Sequence, residues 1–238
     1  MTLTLVASAI AALGLILLAV AGPLYRIGLL SLPSAFTLLR WAAYAGIAAM
    51  AAGLLAGFLA YRRRARGRTA LAVISVLAGL VALGIPFEWQ RRAQSLPPIH
   101  DISTDLENPP AFEAVVPLRA GAPNGLERPA ALAGQQRQGY PDLAPITVPV
   151  PLDQVFTRAL AAAQEAGWQI VTADKGSGRI EATDTTRWFG FTDDIVVRLT
   201  PWGAGTRVDV RSVSRVGRSD TGTNARRIRR YLDALQSD

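Results

Sequence analysis

Three runs of near-continuous apolar residues fill the first third of the chain, and regular apolar–polar alternation fills the last third. The first run, Thr2 to Gly22, is uncharged over about 20 residues, enough at 1.5 Å per residue to cross a hydrocarbon core of about 30 Å. Pro23 is expected to end it. The second is apolar from Trp41 to Tyr61, behind Pro33 and Arg40, with an aromatic ring at each end where the headgroup layer favours one. The third, Thr69 to Phe87, closes at Pro86. A cleaved signal peptide is the competing reading of the first run, but no Lys or Arg precedes it, it exceeds an h-region in length, and more spans follow. The pattern predicts a three-helix transmembrane region over residues 1–92.

Past residue 145 the period changes. Leu152, Val155, Phe156, Ala159, Leu160 and Ala163 recur at i, i+3, i+4 and i+7, a helix opened by Pro151 and closed by Gly167. Strand patterns follow at Trp168 to Thr172, Arg179 to Arg187, Asp194 to Thr200 and Thr206 to Ser214, with a short strand possible at Ile146 to Val150. A last helix carries Ile228, Tyr231, Leu232 and Leu235 on one face. Residues 146–238 therefore predict an external α+β domain, an antiparallel four-strand meander with two helices packed on one face, able to fold without the membrane helices. Alternation turns Ile180, Ala182, Ile195, Val197, Leu199, Val208 and Val210 toward the helices. Glu181, Thr183, Arg198, Arg207, Asp209 and Arg211 fall on the other face, expected to be a solvated charge ladder. Asp184, Thr186, Ser212 and Ser214 are polar in the apolar register, so one end of the interior either opens to water or forms a site.

Between these regions, residues 93–145 read as a proline-rich extended connector. Eleven of the 15 prolines lie between Pro97 and Pro151, which excludes long helices and central strands. It is either a spacer or an arm laid against the following domain, and Phe112, Val115, Val116 and Leu118 favour docking.

The formal charge of +7 suggests a nucleic-acid partner only until it is divided. Residues 1–92 hold nine arginines against one acid, Glu88, while the rest hold 16 basic and 17 acidic residues. The excess lies beside the membrane, and no nucleic-acid partner is expected. Five cations in the seven residues Arg62 to Arg68 form either a nucleic-acid or lipid-binding motif or, in their ordinary meaning, a cytoplasmic retention signal. Retention puts the N-terminus in the cytoplasm and the C-terminal domain in the periplasm of a multi-pass inner-membrane protein. Gly53 and Gly57 form a GxxxG, read as packing inside the bundle in preference to dimerisation. No Asp, Glu, His or Lys lies within a span, so an ion path lacks its usual parts. No cysteine is present, which removes thiolate chemistry and disulfides.

Candidate chemistry is sparse. His100, the only histidine, stands with Asp101 and Asp105 at the start of the connector, a possible polar site. Metal sites usually want a second imidazole or thiolate, which is lacking, so no metal, cofactor or catalytic residue is assigned. A second candidate gathers Arg187, Trp188, Phe189, Gly190 and Phe191 at a hairpin tip, with Asp184, Asp193 and Asp194. Arg215, Arg218, Ser219, Asp220 and Asn224 come from the loop before the final helix, where Asp220 or Thr221 also suits a helix N-cap. This set fits an anionic or polar ligand held by arginine beside an aromatic wall.

The segment Thr185, Thr186, Arg187, Trp188, Phe189, Gly190, Phe191, Thr192, Asp193, Asp194, together with Val208 to Arg218, Ser219, Asp220, Asn224, Ala225 and Arg226, resembles the family called domain of unknown function 1499. Pro97 to Asp105 and Tyr140, Pro141, Asp142, Leu143 are similar to it too, so the resemblance runs from about Pro97 to the C-terminus. Members with preceding membrane helices look familiar from bacteria. Shorter members often begin with a cysteine-containing segment absent here, so no thiol role carries over. The resemblance implies no reaction. Two function classes remain: a membrane-anchored module that binds an envelope protein, lipid or anionic ligand, and a hydrolase using His100 with Asp101 or Asp184.

Overall fold

A computed structural model of the protein describes residues 2–236 and divides the chain into two compact units. One comprises Met1–Arg92 with Arg187–Gly190, the other Ala93–Thr186 with Phe191–Asp238.

The first unit is built on α1 (Thr2–Arg26), α2 (Leu32–Arg62) and α3 (Arg66–Ser95), each long and apolar enough to cross a membrane. Neither Pro23 nor Pro86 ends its helix as the sequence suggested; α1 runs on to Arg26 and α3 to Ser95. Proline removes one backbone bond, and a membrane helix continues past it when another group takes up the freed carbonyl. Ser31 caps α2 by accepting from the Ser34 amide at 3.3 Å. Small residues set the packing. A Cβ on Gly46 would lie 2.6 Å from the Gly79 carbonyl oxygen, and one on Gly53 would lie 2.8 Å from Val76 Cγ2, so Gly53 packs within the bundle. The large apolar side chains Leu13, Ile16, Leu54, Phe58 and Leu77 face outward.

The second unit holds an antiparallel sheet of six strands, two more than the predicted meander. They are β1 (Asp101–Ser103), β2 (Ile146–Val148), β3 (Gln169–Asp174), β4 (Arg179–Thr185), β5 (Thr192–Trp202) and β6 (Gly205–Ser214). The order is β1-β6-β5-β4-β3, and β2 also pairs with β6. β1 covers Arg211–Val213 of that edge and β2 covers Thr206–Val208, closing a row of backbone groups that would otherwise stand open. The extra strand β1 comes from the proline-rich segment, too short to show a period in sequence. The same segment carries the helix α4 (Ala130–Gly139).

Helices α5 (Leu152–Glu165) and α6 (Thr223–Gln236) cover one face. Gly167, at φ +80°, turns the chain out of α5 in the left-handed region glycine tolerates. Val155, Phe156, Ala159 and Ala163 from α5, and Ile228, Tyr231, Leu232 and Leu235 from α6, join the inward-facing strand residues in one core. That core also takes Ile99, Ile102, Tyr140 and Leu143. It therefore extends beyond residues 146–238, the fragment expected to fold alone.

The opposite face is not a solvated charge ladder. Glu181 and Asp209 are fully buried and Arg211 is 5% exposed. Residues from the connector lie on it, with Phe112 and Val115 packed against Val196 and Val213. Val116 and Leu118, the other two of the expected docking cluster, remain exposed.

Candidate functional site

The charged residues of the arm-covered face form four arginine–carboxylate clusters. Asp101 on β1 accepts both guanidinium arms of Arg211 on β6 at 3.0 and 2.8 Å, and Arg128 at 2.7 Å. Arg211 also donates to the carbonyls of Pro110 and Leu126 and lies over the Phe112 ring. Arg128 reaches Gln136 of α4, whose amide holds both backbone groups of Ser103. Burial pushes the Arg128 guanidinium below its ordinary pKa, with the Asp101 charge opposing. In the second cluster, Asp105 and Asp209 share Arg198 and Arg207. In the third, the fully buried Asp194 takes Arg119 from the arm and both arms of Arg215. In the fourth, Arg179 pairs with Glu181 and with Glu113 of the arm, and Glu181 also accepts the amides of Glu113 and Val115 at 2.8 and 2.9 Å. Each cluster includes at least one contact that ties the chain of residues 101–128 to a strand of the sheet.

The helix-covered face closes its polar end with Arg227 of α6. This guanidinium donates to Asp193 and Asp184, both at 2.7 Å, to Ser212 Oγ at 3.1 Å and to the Asn224 side chain. Burial opposes its charge, and Asp193 and Asp184 outweigh that cost and hold its pKa above the ordinary value. Asn224, fully buried, donates to the His100 carbonyl and to Ser214 Oγ, each at 3.0 Å. The polar register positions Asp184, Ser212 and Ser214 thus meet a matching polar stripe on α6. Asp220 accepts the amides of Gly222 and Asn224 at 2.9 and 2.6 Å, capping the turn into α6. Desolvation pushes its carboxyl up, so its ionisation costs stability as pH rises through that raised value. Nearby, burial and the Asp220 charge push the Tyr140 hydroxyl up to about 12, and that oxygen has no hydrogen-bond partner among the described residues.

The hairpin tip Arg187–Gly190 belongs to the helical unit. Phe189 is 2% exposed, with Tyr25, Phe36, Trp89 and Trp188 rings centred 5.3–5.9 Å away. The Trp188 indole N–H donates to the Ala19 carbonyl at 3.1 Å. That carbonyl is the one whose i+4 amide is missing because residue 23 is proline, and Gly22 leaves the space in which the indole lies. Arg26 donates to the Arg187 carbonyl at 2.9 Å. Trp188→Phe should therefore cost about 1–3 kcal/mol by orphaning the carbonyl. In a Pro23→Ala background, which restores the amide, the loss should shrink by more than half in a double-mutant cycle of unfolding.

The residues proposed from sequence as one ligand set are thus divided. Asp184, Asp193, Asp220 and Asn224 meet around Arg227. Asp194 and Arg215 pair on the opposite face of the sheet. Arg187 and Trp188 belong to the helical unit, and Arg218 is exposed. Asp101 and Asp105 are held by arginines, and the His100 imidazole has no hydrogen-bond partner among the described residues although its carbonyl accepts two. No group of three or more His, Asp or Glu suited to a metal ion occurs among the described residues. Sequence reasoning missed Arg119, Arg128, Gln136 and Arg227. Arg227 carried a signal, since it sits at the i+3 position from Asn224 on the face that continues to Ile228 and Tyr231.

The family model described as "Protein of unknown function (DUF1499)" matches residues 101–235, beginning at the first residue of β1 and ending in α6. No curated protein matches the chain.

Proposed function

Because this chain belongs to the DUF1499 family, whose description names no activity, we propose from its own chemistry that it is a multi-pass inner-membrane protein. Its α+β domain would serve in the periplasm as a non-catalytic binding or envelope-associated module. The observation that carries this reading is the use of the motif charges. Asp101 pairs with Arg211, Asp105 with Arg198, Asp194 with Arg119 and Arg215, and Asp193 with Arg227, and these pairs secure the arm and α6. A hydrolase built on His100 needs a carboxylate or nucleophile within hydrogen-bond reach of the imidazole, whereas Asp101 and Asp184 are engaged by arginines. The orientation is supported by the five arginines of residues 62–68.

Two measurements test the two halves of the proposal. Alkaline phosphatase fused after Gln94 should be active; an inactive fusion, with a cytoplasmic reporter active at the same point, overturns the orientation. His100→Ala should complement a deletion strain for envelope integrity as well as the parent chain does. Loss of complementation by a variant with an unchanged melting temperature would favour the hydrolase.

A further inference from the structure

The space between α2 and α3 beside the arginine loop plays no part in that reading. A Cβ on Gly46 would lie 2.6 Å from the Gly79 carbonyl oxygen, and the contact loosens along α2 toward the loop. A Cβ on Gly53 would still lie 2.8 Å from Val76 Cγ2, but one on Gly57 would meet only Ala72 Cβ, at 3.4 Å. The loosening leaves an open groove of about 340 Å³, floored by Gly53, Gly57 and Ala72 and walled by apolar side chains including Phe58 and Leu77. It shares Tyr61, Thr69 and Val73 with a wider opening of about 920 Å³ bordered by Arg62, Arg64 and Arg66. Gly53 and Arg62 are separated by about 13 Å of helix. An apolar trough at membrane depth therefore ends in a cationic mouth where headgroups would lie. All five arginines of this loop are exposed, and no acidic residue precedes Glu88 in the chain.

We infer that this groove binds one anionic phospholipid, with an acyl chain along Gly53 and Gly57 and the phosphate among Arg62, Arg64 and Arg66. Charge selects the occupant. Guanidinium groups pair with phosphate oxygens through two parallel donors, and a lipid with net negative charge offsets cations that no nearby acid neutralises. A zwitterionic lipid would bring its own cation to the same place. A second copy of this chain, packed through the same glycines, would set another five arginines against the first five.

Native mass spectrometry of the full-length chain in detergent, titrated with phosphatidylglycerol and with phosphatidylcholine of the same acyl chains, tests this. Phosphatidylglycerol should be retained about tenfold better. Replacing Arg62, Arg64 and Arg66 together by Gln should remove the preference. Gly57→Leu and, on the facing wall, Val73→Trp should each lower phosphatidylglycerol retention several-fold with every arginine in place, and glycerol 3-phosphate should not displace the lipid. Equal retention of the two lipids overturns the proposal. Undiminished binding by both groove variants would mean diffuse surface charge, displacement by glycerol 3-phosphate a free-anion site, and dimers in place of bound lipid a second copy; each also overturns it.

Discussion

Asp101→Ala is expected to cost about 3–5 kcal/mol, the range for removing one partner from a buried ion pair. The substitution leaves two guanidinium groups, Arg211 and Arg128, facing each other with side chains 6% and 8% exposed. Neither can turn to water, because Arg211 is also held by Pro110 and Leu126 and Arg128 by Gln136. Equilibrium unfolding should show the loss as a fall of about 10 °C in melting temperature for a unit of this size. Asp101→Asn should be milder, since an amide oxygen still accepts one guanidinium donor. A change below about 1 kcal/mol for the alanine variant, the size of an exposed pair, would mean that this contact does not secure the arm.

The second large effect concerns where the folded unit begins. A fragment starting at Ala144 loses β1 from the edge of β6, and it loses Ile99, Ile102, Phe112, Val115 and Leu143 from the interior. Five buried apolar side chains at about 1.5–3 kcal/mol each amount to about 7–15 kcal/mol, comparable to the whole stability of a typical domain, about 5–15 kcal/mol. The fragment 144–238 should therefore show no cooperative unfolding transition, whereas 93–238 should unfold cooperatively in urea. In the longer fragment the rings of Trp188 and Phe189, which belong to the helical unit, will be bare. Replacing both by Ser should improve its solubility without removing the transition.

How much of this was readable in the sequence follows from what leaves a period there. The three apolar runs show as unbroken stretches, α5, α6 and the four long strands repeat every 3.6 or 2 residues, and even the inward face of the sheet was legible from Ile180 to Val210. The arm was not, because irregular backbone has no period and its anchors are chemical. Asp101 meets a residue 110 positions away, and Arg119 meets one 75 positions away. The alternation of Glu181, Asp209 and Arg211 with apolar residues looks the same whether water or a proline-rich arm lies over it. The apolar cluster Phe112, Val115, Val116 and Leu118 hinted at docking, and only its first two members are buried. The site residues shared this difficulty. Asp184, Ser212 and Ser214 were visible as polar exceptions in an apolar register, but their partner Arg227 became meaningful only when α6 was laid on the sheet.

Acid stability carries a smaller signature of the same chemistry. Hydrogen bonding to Arg229 holds the Asp142 carboxyl below its ordinary range. A depressed folded-state value means its contribution is present above the unfolded pKa and lost as pH falls through the folded one. Because this pair is exposed, Arg229→Gln should flatten the acid limb only slightly.

The central claim is that residues 99–128 are part of the fold and that the motif charges hold them there. Amide hydrogen exchange on the full-length chain tests it most directly. The β1 amides and those of Glu113 and Val115, which donate to the buried Glu181, should exchange as slowly as the centre of β6, and Asp101→Ala should speed them far more than it speeds α5. Exchange of these amides at free-chain rates while β4, β5 and β6 stay protected would contradict the account.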